Sequence, residues 1–315
     1  MAHTLICGSM AFDTIMSFYD RFSNAILPDQ LHTINVAFLV PELRKEWGGC
    51  AGNIAHNLKL LNEDPKIMAT VGIDGEPYLD RLRHLTISTE YIQTIPTAYT
   101  AQAFITTDKD NNQITAFHPG AMTFAHENKI ANAQPIKLAI IAPDGRDAML
   151  THARDCHALN IPFIFDPGQG LPMFNENELS EFANLATYIA MNDYEAKLFM
   201  QRTNISIDSL RKKVSALIIT NGHHGSDIYT PTQHFNIPCV TAEKVVDPTG
   251  CGDAFRAGIL YGLQHHLDWE TTGRLASLMG AIKVAHRGGQ NHTPSFNEIQ
   301  SRFKSAFGYD LKLNH

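Results

Sequence analysis

The chain reads as an α/β protein built on a doubly wound, mostly parallel sheet with a small antiparallel β flap inserted into it. Continuously apolar runs of strand length recur, and stretches of helix length lie between them. Strands buried on both faces show unbroken apolar runs instead of alternation, and strand–helix repetition implies right-handed βαβ units. The strand-type runs are TLICG (4–8), IMATVG (67–72), LAIIAP (138–143), PFIFDP (162–167), TYIAMN (187–192) and ALIITNG (216–222). AGNIAHNLKLL (51–61), RDAMLTHARDCHAL (146–159) and DYEAKLFMQR (193–202) read as helices. From residue 252 onward two neighbouring helices are expected, GDAFRAGILYGLQHH and TTGRLASLMGAIKVAH.

Residues 13–19, 32–40, 99–107 and 112–118 alternate or carry β-type side chains, with no crossover helices between them. DKDNNQ (108–113) reads as a polar hairpin turn between the last two. These segments form the flap, through insertions at about 12–45 and 95–120 into a single domain spanning 1–315.

At 315 residues and 44% hydrophobic content the chain can bury a full core. A formal net charge of −7 argues against nucleic acid or an anionic membrane as partner. Five cysteines, odd in number and without a C-x-x-C pair, read as the reduced thiols of a cytosolic protein. The N-terminus lacks a basic leader, and no apolar run approaches the ~20 residues that span a bilayer. The sequence therefore predicts a soluble, cytoplasmic protein.

Chemistry concentrates in VVDPTGCGDAFRAG (245–258). Gly250 and Gly252 flank Cys251, and a helix begins near Asp253. Successive N–H groups at a helix N-terminus cradle phosphate or a developing oxyanion, and the helix dipole favours an ionised carboxylate there. Such a carboxylate can take a hydroxyl's proton as a phosphoryl group arrives. A glycine turn with an aspartate cap accounts for the same residues, so composition alone does not decide. EWGGCAGNIAHNLKLL supplies a second motif, with Gly48, Gly49 and Gly52 before a helix and Asn53 in its first turn. It lacks the preceding buried strand and downstream acid of a dinucleotide fold. Backbone access plus an amide suits a small polyhydroxyl ligand better.

GGCAGNIAHNLKLL and DPTGCGDAFRAGILYGL together resemble the N- and C-terminal signatures of the ribokinase-like (PfkB-type) carbohydrate and nucleoside kinases, in order, separation and chain length. Cys50 and Cys251 stand where that family usually has a smaller residue. The resemblance implies a three-layer α/β/α fold, ATP and Mg²⁺, and K⁺ as a further cofactor. It makes Asp253 the general base and the amides of Gly250, Cys251 and Gly252 the anion hole. MNDYEAK (191–197) is similar to the family's N-x-x-E element, implicating Asn192 and Glu195 in organising the ATP phosphates, with Glu195 holding Mg²⁺ through water. TNGHHG (220–225) implicates Thr220, Gly222 and Gly225 at ATP. Asp13 falls where the family grips a vicinal diol, beside Gly48, Gly49 and Asn53, and Asp247 and Thr249 where it holds a monovalent cation.

Residues 93–122 contain a single Arg or Lys, Lys109, which argues against a phosphorylated sugar as acceptor. Phe12, Phe104, Phe117 and Met122 could sandwich a flat base, with Gln102 and His118 reading its edge. AQAFITTDKDNNQITAFHPGAM also resembles the flap of bacterial and archaeal nucleoside kinases, above all the adenosine kinase-like ones. The expected reaction is ATP-dependent 5′-phosphorylation of a nucleoside, adenosine first, with a free sugar such as ribose or fructose as the alternative. A nucleotide-binding protein without turnover is a further reading, which the complete Asp253, cradle and N-x-x-E set opposes. Exposed flap edges allow a homodimer through the flap. The pairs His223–His224 and His265–His266 lack metal-ligand spacing, Cys251 lacks a neighbouring base, and DPGQGLP (166–172) serves equally as a phosphate contact or a structural turn.

Overall fold

The structure, a computed structural model, describes residues 2–26, 32–33 and 35–311. The six apolar runs become strands of one sheet: β1 (His3–Cys7), β4 (Lys66–Val71), β8 (Ile136–Ile141), β9 (Phe163–Phe165), β10 (Tyr188–Asn192) and β11 (Ala216–Thr220). β5 (Ser88–Thr94), β12 (Ser226–Tyr229) and β13 (His234–Ile237) complete it in the order β13-β12-β11-β10-β9-β8-β1-β4-β5. Every pair from β5 to β11 is parallel, and β12 and β13 close one edge antiparallel. The edge strands escape the apolar-run criterion because they are not buried on both faces: STEYIQT is at most half-buried throughout.

Successive side chains of the central strands serve two cores. Leu5 and Cys7 face one and Ile6 the other, and the same alternation holds for Ala139, Ile140 and Ile141. The first core packs under the helices Cys50–Leu60, Glu76–His84, Cys251–Gln264, Trp269–Val284 and Phe296–Phe307. The second packs under Arg146–Ala158, Glu176–Leu185 and Asp193–Thr203. This is the three-layer α/β/α arrangement.

The flap is a second sheet ordered β3-β2-β6-β7, from β2 (Ala11–Ser17), β3 (Glu42–Gly48), β6 (Ala101–Thr107) and β7 (Gln113–His118). Its outer pairs are antiparallel but the central β2–β6 pair is parallel, so the flap is mixed. The expected strand at 32–40 is not one: residues 35–40 are irregular, and Ile34 lies outside the described residues. Phe38 instead joins Phe18 and Phe22 in an aromatic cluster, at 4.9 and 5.1 Å between ring centroids. The strand falls on the charged ELRKEWG, whose register runs the full length of β2. The DKDNNQ turn is organised by buried Asp108, whose Oδ1 accepts from the amides of Asp110 and Asn112 at 2.9 and 2.8 Å.

The helices Cys251–Gln264 and Trp269–Val284 touch backbone to backbone. A Cβ at Gly258 would collide with Ala276, and one at Gly262 with Thr272. That contact fixes Asp253 on one helix relative to Lys283 on the other. Among the described residues no helix is long and apolar enough to cross a membrane.

Candidate active site

Asp166 follows β9, and Asn192 and Thr220 end β10 and β11, where they are register partners. These groups line the carboxyl edge of the parallel sheet, where open α/β folds bind ligands. The helix Cys251–Gln264 starts here, capped by Gly250 in the left-handed conformation (φ 77°).

The two glycine motifs meet at this helix tip. The Asp253 carboxylate accepts a hydrogen bond from Asn53 Nδ2 at 2.8 Å. Gln290 Nε2 donates to Asn53 Oδ1 at 3.1 Å and to the Tyr78 hydroxyl at 2.6 Å, and Tyr78 donates to the Gly48 carbonyl at 2.7 Å. One relay thus joins Gly48 to Asp253. Gly49, at φ 84°, starts the helix that carries Asn53, and a Cβ there would collide with Ser9, Met10 and Ala11.

Burial pushes the Asp253 carboxyl up to about 6, with Asp166 adding to the rise, while Asn53 and Arg256 hold it down. The helix dipole alone, on which the sequence argument relied, would have kept it lower. Arg256 forms a buried, two-pronged ion pair with Asp166, Nε to Oδ2 at 3.0 Å and Nη2 to Oδ1 at 3.1 Å. Asp166 therefore anchors this arginine, which gives the first residue of DPGQGLP a structural partner.

A Cβ at Gly252 would meet nothing within 4 Å, so the cradle opens onto free space. The Cys251 amide is turned onto the Pro248 carbonyl at 3.1 Å, which leaves Gly250 and Gly252 as the less encumbered donors of the expected three. Burial raises both neighbouring thiols, Cys251 to about 11 and Cys50 well above its usual range, which fits packing and not nucleophilic attack.

Asp13 lies against Gly48, where an added Cβ would sit 2.5 Å from its Oδ2. Burial, Asp247 and Glu46 raise its carboxyl to about 6. Side chains in register share a face of the sheet, so the Asp13 face carries Ala103 and Phe117. Gln102, Phe104 and His118 belong to the opposite face, and Gln102 Nε2 donates to Thr14 Oγ1 on that side at 2.6 Å. The expected sandwich is therefore corrected. Phe104 and Phe117 cannot clasp one base, and Phe12 is buried against Trp47 and Tyr78. The strand period of two, not composition, decides this.

Of the residues expected at ATP, Asn192 and Glu195 form a reciprocal helix cap, with Glu195 N donating to Asn192 Oδ1 at 2.7 Å and Asn192 N to Glu195 Oε2 at 2.8 Å. Burial, then Asp166, raises the half-buried Glu195 carboxyl, with Arg256 opposing. Gly222 (φ 57°) borders open space, whereas Gly225 (φ 92°) is pressed on the Ile237 carbonyl. Among the described residues no group of three His, Cys, Asp or Glu could hold a metal. Mg²⁺ does not need one, because it keeps several waters and takes one or two carboxylates plus phosphate oxygens. Both Glu195 oxygens accept from Asn192, Oε2 from its amide and Oε1 from Nδ2 at 2.8 Å, so Glu195 would meet Mg²⁺ only through a bound water.

The monovalent-cation expectation does not fit. Asp247 Oδ1 accepts the Thr249 amide and Oδ2 the Gly288 amide, both at 2.9 Å. The Asp247 carbonyl accepts Lys283 Nζ at 2.7 Å. Arg256, Lys283, Tyr78 and Gln290 were not singled out from sequence. Of these, only Arg256 left a signal, its i+3 spacing from Asp253 on a helix face. His265 bonds Glu63 at 2.6 Å, and the His223 and His224 rings are exposed beside each other.

Residues 10–295 match the family model described as pfkB family carbohydrate kinase. The nucleoside kinase of Methanocaldococcus jannaschii is 33% identical over 272 residues, covering 86% of this chain and 89% of that protein. The nucleoside kinase of Burkholderia thailandensis, solved in complex with inosine, superposes with a TM-score of 0.89 at 55% identity, covering 98% of this chain and 99% of that one. The ribokinase of Thermotoga maritima shares the fold, with a TM-score of 0.80 at 19% identity over 97% of this chain and 100% of that one. By its matched span and its relatives, the chain belongs to the pfkB family of carbohydrate kinases.

Proposed function

We propose that the protein transfers the γ-phosphoryl group of ATP to the 5′-hydroxyl of a nucleoside, with adenosine as the expected acceptor and inosine close behind. The observation that carries this is the Asp253 carboxylate held by Asn53 at a glycine-capped helix tip, with Asp13 on the flap above the same relay. Asp253 takes the hydroxyl's proton, and the Gly250 and Gly252 amides receive the charge on the transferring group. Mg²⁺, when bound, would neutralise charge on the phosphate oxygens, with Glu195 orienting its water. Asn192, Thr220 and Gly222 border the nucleotide side. Asp13 would bind the ribose diol, and Phe117, on its face, would lie along the base. Inosine is the ligand of the B. thailandensis kinase, also solved in complex with ADP-inosine, and this supports a purine nucleoside.

An ADP-release assay across adenosine, inosine, guanosine, cytidine, ribose, fructose and fructose 6-phosphate tests the reading. Purine nucleosides should give the highest kcat/KM, with little ADP formed without acceptor. Ribose or fructose outrunning every nucleoside would overturn it.

The flap face away from Asp13 exposes Leu43 (64%), Ile114 (44%) and Phe104 (41%), which a second copy of the chain would cover. Sedimentation should return twice the 35.0 kDa chain mass, and a monomer at every concentration would refute the homodimer. All five cysteines are free, which is consistent with a cytoplasmic protein.

A further inference from the structure

Lys283 is fully buried (0% exposed), a rare place for an ammonium group. It sits in the last turn of the helix Trp269–Val284, and its Nζ donates to the Asp247 carbonyl at 2.7 Å and the His286 carbonyl at 3.1 Å. These carbonyls belong to the two segments that build the catalytic tip. Asp247 opens the turn that ends in Gly250 and the cradle. His286 precedes Gly288, whose amide binds Asp247, and Gln290, whose amide group holds Asn53 and through it Asp253. Burial lowers the Lys283 pKa, while the neighbouring Cys251, Asp247, Asp253 and Glu46 favour its charged form.

We propose that the Lys283 ammonium is a tethered substitute for the monovalent cation, a positioning residue that holds the turn and the Asn53-bearing relay in register, so that turnover needs no K⁺. A bound K⁺ would have to share the Asp247 carbonyl with an ammonium group already bonded to it and be repelled by that charge. The tether removes the entropy cost of recruiting an ion and makes the positive charge permanent. A lysine that merely caps a helix end would satisfy the same carbonyls, so the test must separate charge at the site from stability. The inference rests on the nucleoside-kinase reading.

The test is ADP formation from inosine and ATP by the full chain, with K⁺ present or replaced throughout by tetramethylammonium. Equal rates are expected. Lys283→Ala, which leaves room for a small cation, should lose kcat by roughly 10²-fold, the scale of one preorganised electrostatic group. K⁺, NH₄⁺ or ethylammonium should restore part of it, with the nucleoside KM little changed. Wild-type turnover that requires K⁺ overturns the inference and leaves the kinase reading intact. A folded Lys283→Ala that keeps its rate, or that no cation rescues, also overturns it. Should the variant fail to fold, the wild-type ion exchange still decides. No turnover in either medium, with any nucleoside, overturns the kinase reading and the inference with it.

Discussion

Asp253→Asn lowers kcat by ~10²–10⁴-fold, the range that a general base supplies. The substitution keeps an oxygen able to accept the Asn53 amide, so the helix tip stays in place and nucleoside KM moves little. Lost is the group proposed to remove the hydroxyl's proton. Its titration gives a second readout, because a carboxylate must be ionised to act. With Asp253 and the proposed diol-binding Asp13 both raised from 3.8 to about 6, wild-type kcat/KM should climb as pH rises through about 6 and then level, and the kcat profile should isolate Asp253. Stability runs the opposite way. A carboxyl whose folded pKa is raised contributes stability below its ordinary value and loses it as pH rises through the folded one. Asp253→Asn should therefore melt no lower than wild type at pH 8. Wild-type turnover in this variant would remove Asp253 from the chemistry.

Arg256→Met should destabilise the protein by about 3–5 kcal/mol, the cost of removing one partner from a buried ion pair. Both side chains are nearly inaccessible, at 5% for Arg256 and 6% for Asp166, so water cannot replace the lost guanidinium. Asp166 would be left charged and unpaired beside Asp253. Losing Arg256 also removes a positive charge that holds the Asp253 carboxyl down, so the pH at which activity rises should move upward. Denaturant unfolding measures the first effect. Pairing Arg256→Met with Asp166→Leu should recover much of the loss, since the stranded charge disappears. A loss under about 1 kcal/mol in the single variant would place the pair among the weak, solvent-screened ones.

The parallel core of the fold was legible because each strand is buried on both faces and carries an unbroken apolar run. The edges were not, since STEYIQT and the hairpin strands β12 and β13 are short or half-exposed and resemble loops. Two helices announced themselves by caps that the apolar scan passed over, Asn175 with Glu178 and Ser295 with Glu298. ELRKEWG became a strand against its charge because the flap meets solvent, while Phe38 satisfied its apolarity in an aromatic cluster. Asp253 and Asn53 could be read from motifs, each lying at a glycine-rich helix start. Lys283, Gln290 and Tyr78 could not, because their partners lie 36, 237 and 30 residues away in sequence and only folding joins them. Flap composition suggested a double aromatic clasp, and register, which composition does not encode, divided it between two faces.

Asp253 is proposed as the group whose carboxylate meets the acceptor alcohol. A crystal structure of the protein with adenosine or inosine and a non-hydrolysable ATP analogue measures that contact. The 5′-oxygen should lie within hydrogen-bond reach of Asp253, about 2.6–3.2 Å, with the ribose diol on Asp13. A 5′-oxygen bound to another side chain, with neither Asp253 nor a bridging water beside it, would contradict the account.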